Sequence, residues 1–374
     1  MEPGSARDSV VMAACAAASA VADPAMAGRG KAARLMECLG VVSAAFPIGT
    51  APTLGGFRRL LQEPLKRLMP PGVDSGPMGD LVLLHGPGWL CDEAEDICRE
   101  HFVPVGALAE RWTVARVRAE QEEQRLYRGL RSLGQAGYVR ARELLVDLPA
   151  GELRVLRRAW DDLWPGFGDY APVSDLGRVQ VDGWWFPCPA CRWPMRAEPT
   201  TGGVWRVACE AHAARGIAYT TSPEDWPGRP VLAAAGKHAG KVESQPATVD
   251  YLAVARPVWR YVTLPGIMEA DLRDHARRLG ADVSMWPNLD EFDLLIQLGG
   301  NAWRIDAKAW ASPVALAQAL LAREPPGQQL EIVIPDYQRP ACAAMNGMFA
   351  GRHMTARTLS GMKRLLKRAA REAR

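Results

Sequence analysis

Residues 286–310, WPNLDEFDLLIQLGGNAWRIDAKAW, gather side chains that can do chemistry together. Residues 292–298 have strand composition, Gly299-Gly300-Asn301 is a turn signal, and residues 302–310 resume with alternating character. Successive side chains of a strand point to opposite faces. Arg304, Asp306 and Lys308 therefore share one face, and Trp303, Ile305, Ala307 and Ala309 share the other. The first strand of this expected β-hairpin brings Asp293 to the same end. Two carboxylates and a lysine on rigid strands suit one task well. Hard oxygen ligands hold Mg²⁺ or Mn²⁺, which polarises a phosphate and lowers the pKa of a bound water, while a lysine adds positive charge beside the attacking oxygen. The competing reading is a solvated strand face carrying an ordinary ion pair. None of the other six lysines has an acid two residues before it.

A second constellation has different chemistry. Cys188 and Cys191 are separated by two residues, and Cys209 and His212 repeat that spacing after seventeen intervening residues. Thiolates and imidazole on two knuckles close a tetrahedral zinc site, and four ligands leave no open position for catalysis. The expectation is a structural Zn²⁺ ribbon. Around it, Arg192, Arg196, Arg206 and Arg215 with Trp184, Trp185, Trp193 and Trp205 offer either a stacking surface for nucleic acid or packing against neighbouring segments.

The elements that must position these residues can be read more coarsely. The chain has 374 residues, 48% of them hydrophobic and 23% charged, enough for two or three cored domains. The expected architecture is multidomain, α plus α/β. It comprises a loose Ala/Gly-rich leader (or a frayed helix) over 1–30, a helical domain over 31–165 and the zinc ribbon over 166–232. A flexible linker over 233–250 and a C-terminal α/β domain over 251–374 follow. Within the last, 257–263 reads as extended, 266–279 and 313–323 as helices, 330–334 as a buried strand, and 358–373 as a closing helix. That helix carries Lys363, Arg364, Lys367 and Arg368 opposite an apolar stripe, a face able to contact phosphates together with Arg304. The net charge of +3 is too small to demonstrate a nucleic-acid partner. Eight scattered cysteines argue for a reducing compartment. The apolar run over 10–22 lacks a positive flank and is too short to span a bilayer, so the expected location is cytoplasmic, away from membranes.

Glu269 on a helix, Asp293 on a strand, then Asp306-Ala307-Lys308 on the next strand resemble the PD-(D/E)XK restriction-endonuclease-like superfamily over roughly residues 257–340. The resemblance implies that Glu269, Asp293 and Asp306 hold catalytic Mg²⁺ or Mn²⁺, that Lys308 orients or deprotonates the attacking water, and that products carry 5′-phosphate ends. The first strand departs from the pattern, since Pro287 lies six residues before Asp293, leaving Asp290 and Glu291 as competitors. Asp271 and Asp274 compete likewise with Glu269. More narrowly, FPCPAC…CEAH and LPGIMEADL…FDLLI…WRIDAKAW resemble the restriction-endonuclease-like protein found beside prokaryotic PIWI-RE proteins and a helicase in defence islands. This implies an endonuclease acting on invading DNA or RNA–DNA hybrid, with a PIWI-like protein and a helicase as partners. The alternative is a non-catalytic zinc-ribbon adaptor that binds nucleic acid or protein.

Overall fold

A computed structural model describes residues 3–23, 26–75, 79–85, 89–91, 94, 97–98, 127–163, 170–177, 179–213, 216–226, 228–237, 239–310, 313–322 and 327–373. Within the expected helical domain over 31–165, most of 92–126 lies outside these residues. The chain separates into two units. Met1–Arg116 with Trp310–Arg323 forms one, and Val117–Ala309 with Glu324–Arg374 the other.

In the first unit the Ala/Gly-rich leader, expected as loose chain or a frayed helix, is a helix, Pro3–Ala22, followed by Gly28–Ala44 and Leu54–Leu60. Val10, Ala14 and Ala18 are fully buried with Val42, Phe57 and Leu61. Alanine is the best helix former, and its small side chain permits close helix approach, so a composition that looks featureless builds a core. Among the described residues, no helix is long and apolar enough to cross a membrane.

The second unit has one continuous core, shared by the helical, cysteine-bearing and C-terminal segments. Two helices bear on the site described below, α1 (Gly134–Asp147) and α2 (Leu264–Arg278), and two follow in the C-terminal segment, α3 (Ala341–Met348) and α4 (Leu359–Glu372). Five strands form its sheet: β1 (Asp282–Met285), β2 (Leu294–Leu298), β3 (Asn301–Ala307), β4 (Leu330–Ile334) and β5 (Met354–Thr358). They lie in sequence order, antiparallel from β1 to β3 and parallel from β3 to β5. The β2–β3 hairpin pairs Leu298 with Asn301, leaving Gly299 and Gly300 as a two-residue turn with φ of 58° and 77°. Both are left-handed, which glycine adopts without strain.

On α2, Met268, Leu272 and Ala276 recur at helical spacing and are buried. Gly266 lets α1 approach, since a Cβ there would stand 2.2 Å from Val146 Cγ2. Thr263 Oγ1 donates to the Leu145 carbonyl at 2.9 Å, a second tie between α1 and the start of α2. The segment 257–263, expected as extended, is a short helix and a π-helical turn (Arg256–Val258, Trp259–Thr263). Pro257 sits at the first turn, where its missing N–H costs nothing, and burial of Trp259 outweighs the β-branched composition.

The expected linker over 233–250 is tied at both ends. Ala233–Ala234 pairs with Ala218–Thr221, and Gln245–Pro246 with Trp184–Trp185. Gly236 reads as flexibility in sequence, but a Cβ there would lie 2.2 Å from the Gly216 carbonyl oxygen. Close backbone approach explains that glycine. A further three-stranded sheet pairs Tyr251–Val254 with Ala150–Glu152 and Tyr170–Pro172, joining segments the sequence assigns to separate domains.

Candidate active site

The β2–β3 register pairs Leu294 with Ile305, and one step outward sets Asp293 opposite Asp306. Asp293 Oδ2 accepts the Ala307 backbone N–H at 2.6 Å and lies 3.6 Å from Lys308 Nζ. Lys308 donates to Asp306 Oδ1 at 2.5 Å, and its own N–H is held by the Val333 carbonyl of β4 at 2.8 Å. Sheet pairing on both sides thus fixes the backbone of all three residues.

Glu269 projects from α2 and is fully buried. Its partners are not the strand acids. Trp286 Nε1 donates to Oε2 at 2.5 Å, and Arg142 Nη2 donates to the two oxygens at 3.2 and 3.4 Å. Arg142, on α1 and 1% exposed, also donates from Nη1 to Asp290 Oδ2 at 2.6 Å and stands 3.8 Å from Asp293 Oδ1. Its guanidinium stacks 4.8 Å from the Trp286 ring centroid. The sequence pattern did not single out Arg142. The available signal was an arginine on a helix's apolar stripe, four residues after buried Tyr138 and three before buried Leu145.

Of the competing acids, Asp290 joins this cluster, with Oδ1 buried and lacking a hydrogen-bond partner. Glu291 faces solvent and lies 3.8 Å from Arg304. Asp271 and Asp274 pair on the surface with Lys363 and Arg273. Arg304 also stacks on Phe292, 5.1 Å from its centroid. Arg364, Lys367 and Arg368 are exposed on α4.

Burial pushes the Asp293 carboxyl well above the usual range, and nearby Glu269 pushes it further. Burial also raises Glu269, with Arg142 opposing. Burial works against the charges of Lys308 and Arg142, but Asp293 and Asp306 keep Lys308 protonated, and Glu269 foremost keeps Arg142 so. Four acids, Glu269, Asp290, Asp293 and Asp306, surround two bases. Fully ionised, they leave two negative charges. That excess, the oxygen donors and the orphaned Asp290 oxygen fit a hard divalent cation such as Mg²⁺ or Mn²⁺.

The Cys188, Cys191, Cys209 and His212 side chains are all buried, with ligand atoms within 4.8 Å of one another. The Cys191–Cys209 sulfurs are 3.7 Å apart, and His212 Nδ1 lies 3.6 and 3.2 Å from the Cys188 and Cys209 sulfurs. Zn–S bonds of ~2.3 Å at tetrahedral angles place sulfurs ~3.8 Å apart, so the cluster can hold a metal such as zinc. Among the described residues no other group of three or more potential ligands gathers so closely, the carboxylates around Arg142 included. The tryptophans considered as a stacking surface split. Trp185 and Trp193 are buried, and Trp193 stacks on Trp259 at 4.4 Å. Trp259 Nε1 in turn donates to Cys191 Sγ at 3.4 Å, so this part of the cluster's surroundings is packing rather than open surface. Arg215 lies outside the described residues.

A model of the family described as "REase associating with pPIWI_RE" matches residues 266–374, from α2 through α4. Over that segment the match supports a restriction-endonuclease-like domain linked to PIWI-RE systems. Neither the curated proteins nor the solved structures searched gave a match.

Proposed function

We propose that the second unit is a divalent-cation-dependent endonuclease acting on DNA or RNA–DNA hybrid, within a prokaryotic defence system that includes a PIWI-like protein and a helicase. The observation that carries this reading is the convergence of Asp293, Asp306 and Lys308 on one hairpin, inside the segment matched by the family model. Carboxylates of the cluster hold the cation, Mg²⁺ or Mn²⁺. When bound, it supplies Lewis-acid polarisation of the phosphate and a water of lowered pKa. Lys308, kept charged by its two acids, stands beside the attacking oxygen and stabilises the negative charge that develops there. The β2–β3 turn and the β4 pairing hold these groups without reorganisation. The Cys188–Cys191–Cys209–His212 cluster is a structural zinc site in this reading.

Labelled duplex DNA, single strands and hybrids, incubated with purified protein and Mg²⁺ or Mn²⁺, with and without the partner proteins, test the proposal. Wild-type protein is expected to leave 5′-phosphate ends. Lys308→Ala should lower the rate by about 10²–10³, the range for loss of one group that stabilises developing charge, and Asp306→Ala, which removes a cation-holding carboxylate, by at least as much. Cleavage unchanged in both variants sinks the assignment. Nucleic-acid binding without cleavage under every condition favours the adaptor reading.

A further inference from the structure

We infer that Arg192 and Trp259 are positioning residues of the nuclease centre. They anchor α1 and the lead-in to α2 on the cysteine–histidine knuckles, and so set where Arg142 meets Glu269. That role rests on the nuclease reading above, and it gives the metal-binding cluster a part in cleavage.

Arg192 follows Cys191 and has φ of 61°, in the left-handed region. A residue with a Cβ is strained there and persists only where something else requires it. Its guanidinium supplies the requirement. Although the residue is exposed, Nη1 reaches 45 positions back along the chain and donates to the Asp147 carbonyl at 2.5 Å. Asp147 closes α1, where the last carbonyls lack partners within the helix and the dipole favours a cation. Two neighbouring carbonyls are met from elsewhere: Leu145 by Thr263 Oγ1 at 2.9 Å and Leu148 by the Tyr170 hydroxyl at 2.7 Å. The end of α1 is therefore pinned, and Arg142 lies within its last two turns.

The same knuckle holds the approach to α2. Trp259 is fully buried, donates from Nε1 to Cys191 Sγ at 3.4 Å, and stacks on Trp193 at 4.4 Å with 17° between the ring planes. Trp193 donates in turn from Nε1 to the Val254 carbonyl at 2.9 Å. The second knuckle adds a tie of its own, the ion pair between Arg256 and Glu210, the residue after Cys209. A metal held by Cys188, Cys191, Cys209 and His212 fixes the two knuckles to each other.

Between these anchors the helices have little play. A Cβ on Gly266 would stand 2.2 Å from Val146 Cγ2, and Arg273 pairs with Glu143 at 3.3 Å. The Arg142–Glu269 contact, at 3.2 and 3.4 Å, is made across this interface, and Arg142 holds Asp290 from the same position. A shift of α1 by about 1 Å would spoil that geometry, and misplacement of this size far from the chemistry can cost ~10²-fold in rate.

The test compares Arg192→Gly, Arg192→Lys and Trp259→Phe in the zinc-loaded full-length protein, on the substrate that wild type cleaves fastest. Arg192→Gly relieves the strain as it removes the tie, so its urea midpoint should hold while kcat falls by about 10- to 100-fold with KM within about twofold. Arg192→Lys keeps a cation on a flexible stem and should recover kcat to within about threefold of wild type. Trp259→Phe keeps an aromatic ring and loses the donor. It should weaken zinc binding by about tenfold or more, the range for outer-shell partners, and lower kcat as well. Amide hydrogen exchange over 134–147 and 264–278 reads the anchoring without reference to cleavage, and should quicken in Arg192→Gly and Trp259→Phe. Unchanged exchange and unchanged kcat in both variants overturn the inference. So does a raised KM with kcat intact in Arg192→Gly, which would make Arg192 a nucleic-acid contact. A loss of kcat that follows a lowered midpoint and is not recovered by lysine would make the tie ordinary stabilisation, and overturns it too. Absence of cleavage by wild type under every condition sinks the nuclease reading, and the inference with it.

Discussion

The cysteine–histidine cluster is buried throughout, whereas the carboxylate cluster runs from buried Glu269, Asp293 and Arg142 to half-buried Asp290, Asp306 and Lys308, and the two are built in opposite ways. The first draws all four ligands from residues 188–212, on two short turns whose ligand atoms already gather within bonding range of one ion. The second draws on α1, α2, the Trp286–Asp290 loop and the β2–β3 hairpin, and its acids stand apart with an arginine between them. A closed soft-ligand site needs only local chain geometry and returns folding energy when metal binds. An open hard-ligand site must keep charge uncompensated until a substrate or ion arrives, so distant elements have to hold it against its own repulsion.

The sharpest way to break the comparison is to remove the first cluster. Cys188→Ser/Cys191→Ser protein should lose about one zinc per chain and, because these sulfurs sit in the shared core, lose cooperative unfolding of the second unit. Structural zinc in small domains is worth about 10–16 kcal/mol, far more than any single substitution in the carboxylate cluster. Metal analysis with near-ultraviolet circular dichroism reads it. Unchanged metal content and an unchanged transition would mean that the four residues are ordinary core thiols and an imidazole.

The same contrast explains what could be read in the sequence. The two-residue spacings of Cys188–Cys191 and Cys209–His212, the hairpin turn at Gly299–Gly300 and the alternation through Arg304, Asp306 and Lys308 are all local, and local periodicity is what a sequence displays. β1 and β5, DVSM and MTART, bury alternate residues but are too short and mixed to stand out. Arg142 lies 127 positions before Glu269. Its stripe position marks it as buried, but nothing local identifies the acids it meets. Small-residue packing hid the Pro3–Ala22 helix, and close glycine contact at Gly236 passed for a linker. Tertiary contact, not propensity, decided each of these cases.

A gentler probe compares the acids before and after they ionise. The carboxyls of Asp293 and Glu269 titrate above their ordinary values of 3.8 and 4.5 in the folded protein. A raised folded-state pKa means the neutral form is favoured by folding. The stabilising contribution is complete below the ordinary carboxylate range and is lost as pH rises through the folded values. With zinc bound but no Mg²⁺ or Mn²⁺, wild-type stability should therefore fall relative to Asp293→Asn as pH rises above the ordinary carboxylate range, by at most ~1.4 kcal/mol per pH unit for one proton. Urea midpoints at several pH values measure it. Parallel curves for the two proteins would show that Asp293 ionises freely and that the buried cluster is not under electrostatic load.

The smallest expected effects are on α4, where cations are arranged the other way round from Arg142. Met362, Leu366 and Ala369 bury one face, Thr358 caps the start by accepting the Gly361 N–H at 3.1 Å, and Arg364, Lys367 and Arg368 face solvent. Lys363 is held by Asp271 at 2.5 Å, and Arg304 lies near Glu291. A committed cation must give up a partner before it meets a phosphate, whereas an exposed one gives up only water and counterions. Lys367→Ala/Arg368→Ala should therefore weaken binding of DNA of any sequence and reduce the slope of log affinity against log salt by about two, roughly one for each phosphate left without its cation. Lys363→Ala should change the slope by less than one, since removal of its ion pair with Asp271 offsets part of any phosphate interaction. Neither variant should alter Mn²⁺ uptake, because α4 supplies no group to the Arg142 cluster. Salt-dependent binding measured on uncleaved substrate decides the matter. An equal effect of Lys363→Ala and Lys367→Ala/Arg368→Ala would mean that the Asp271 ion pair opens on binding and that the whole helix face, committed or not, lies against the nucleic acid.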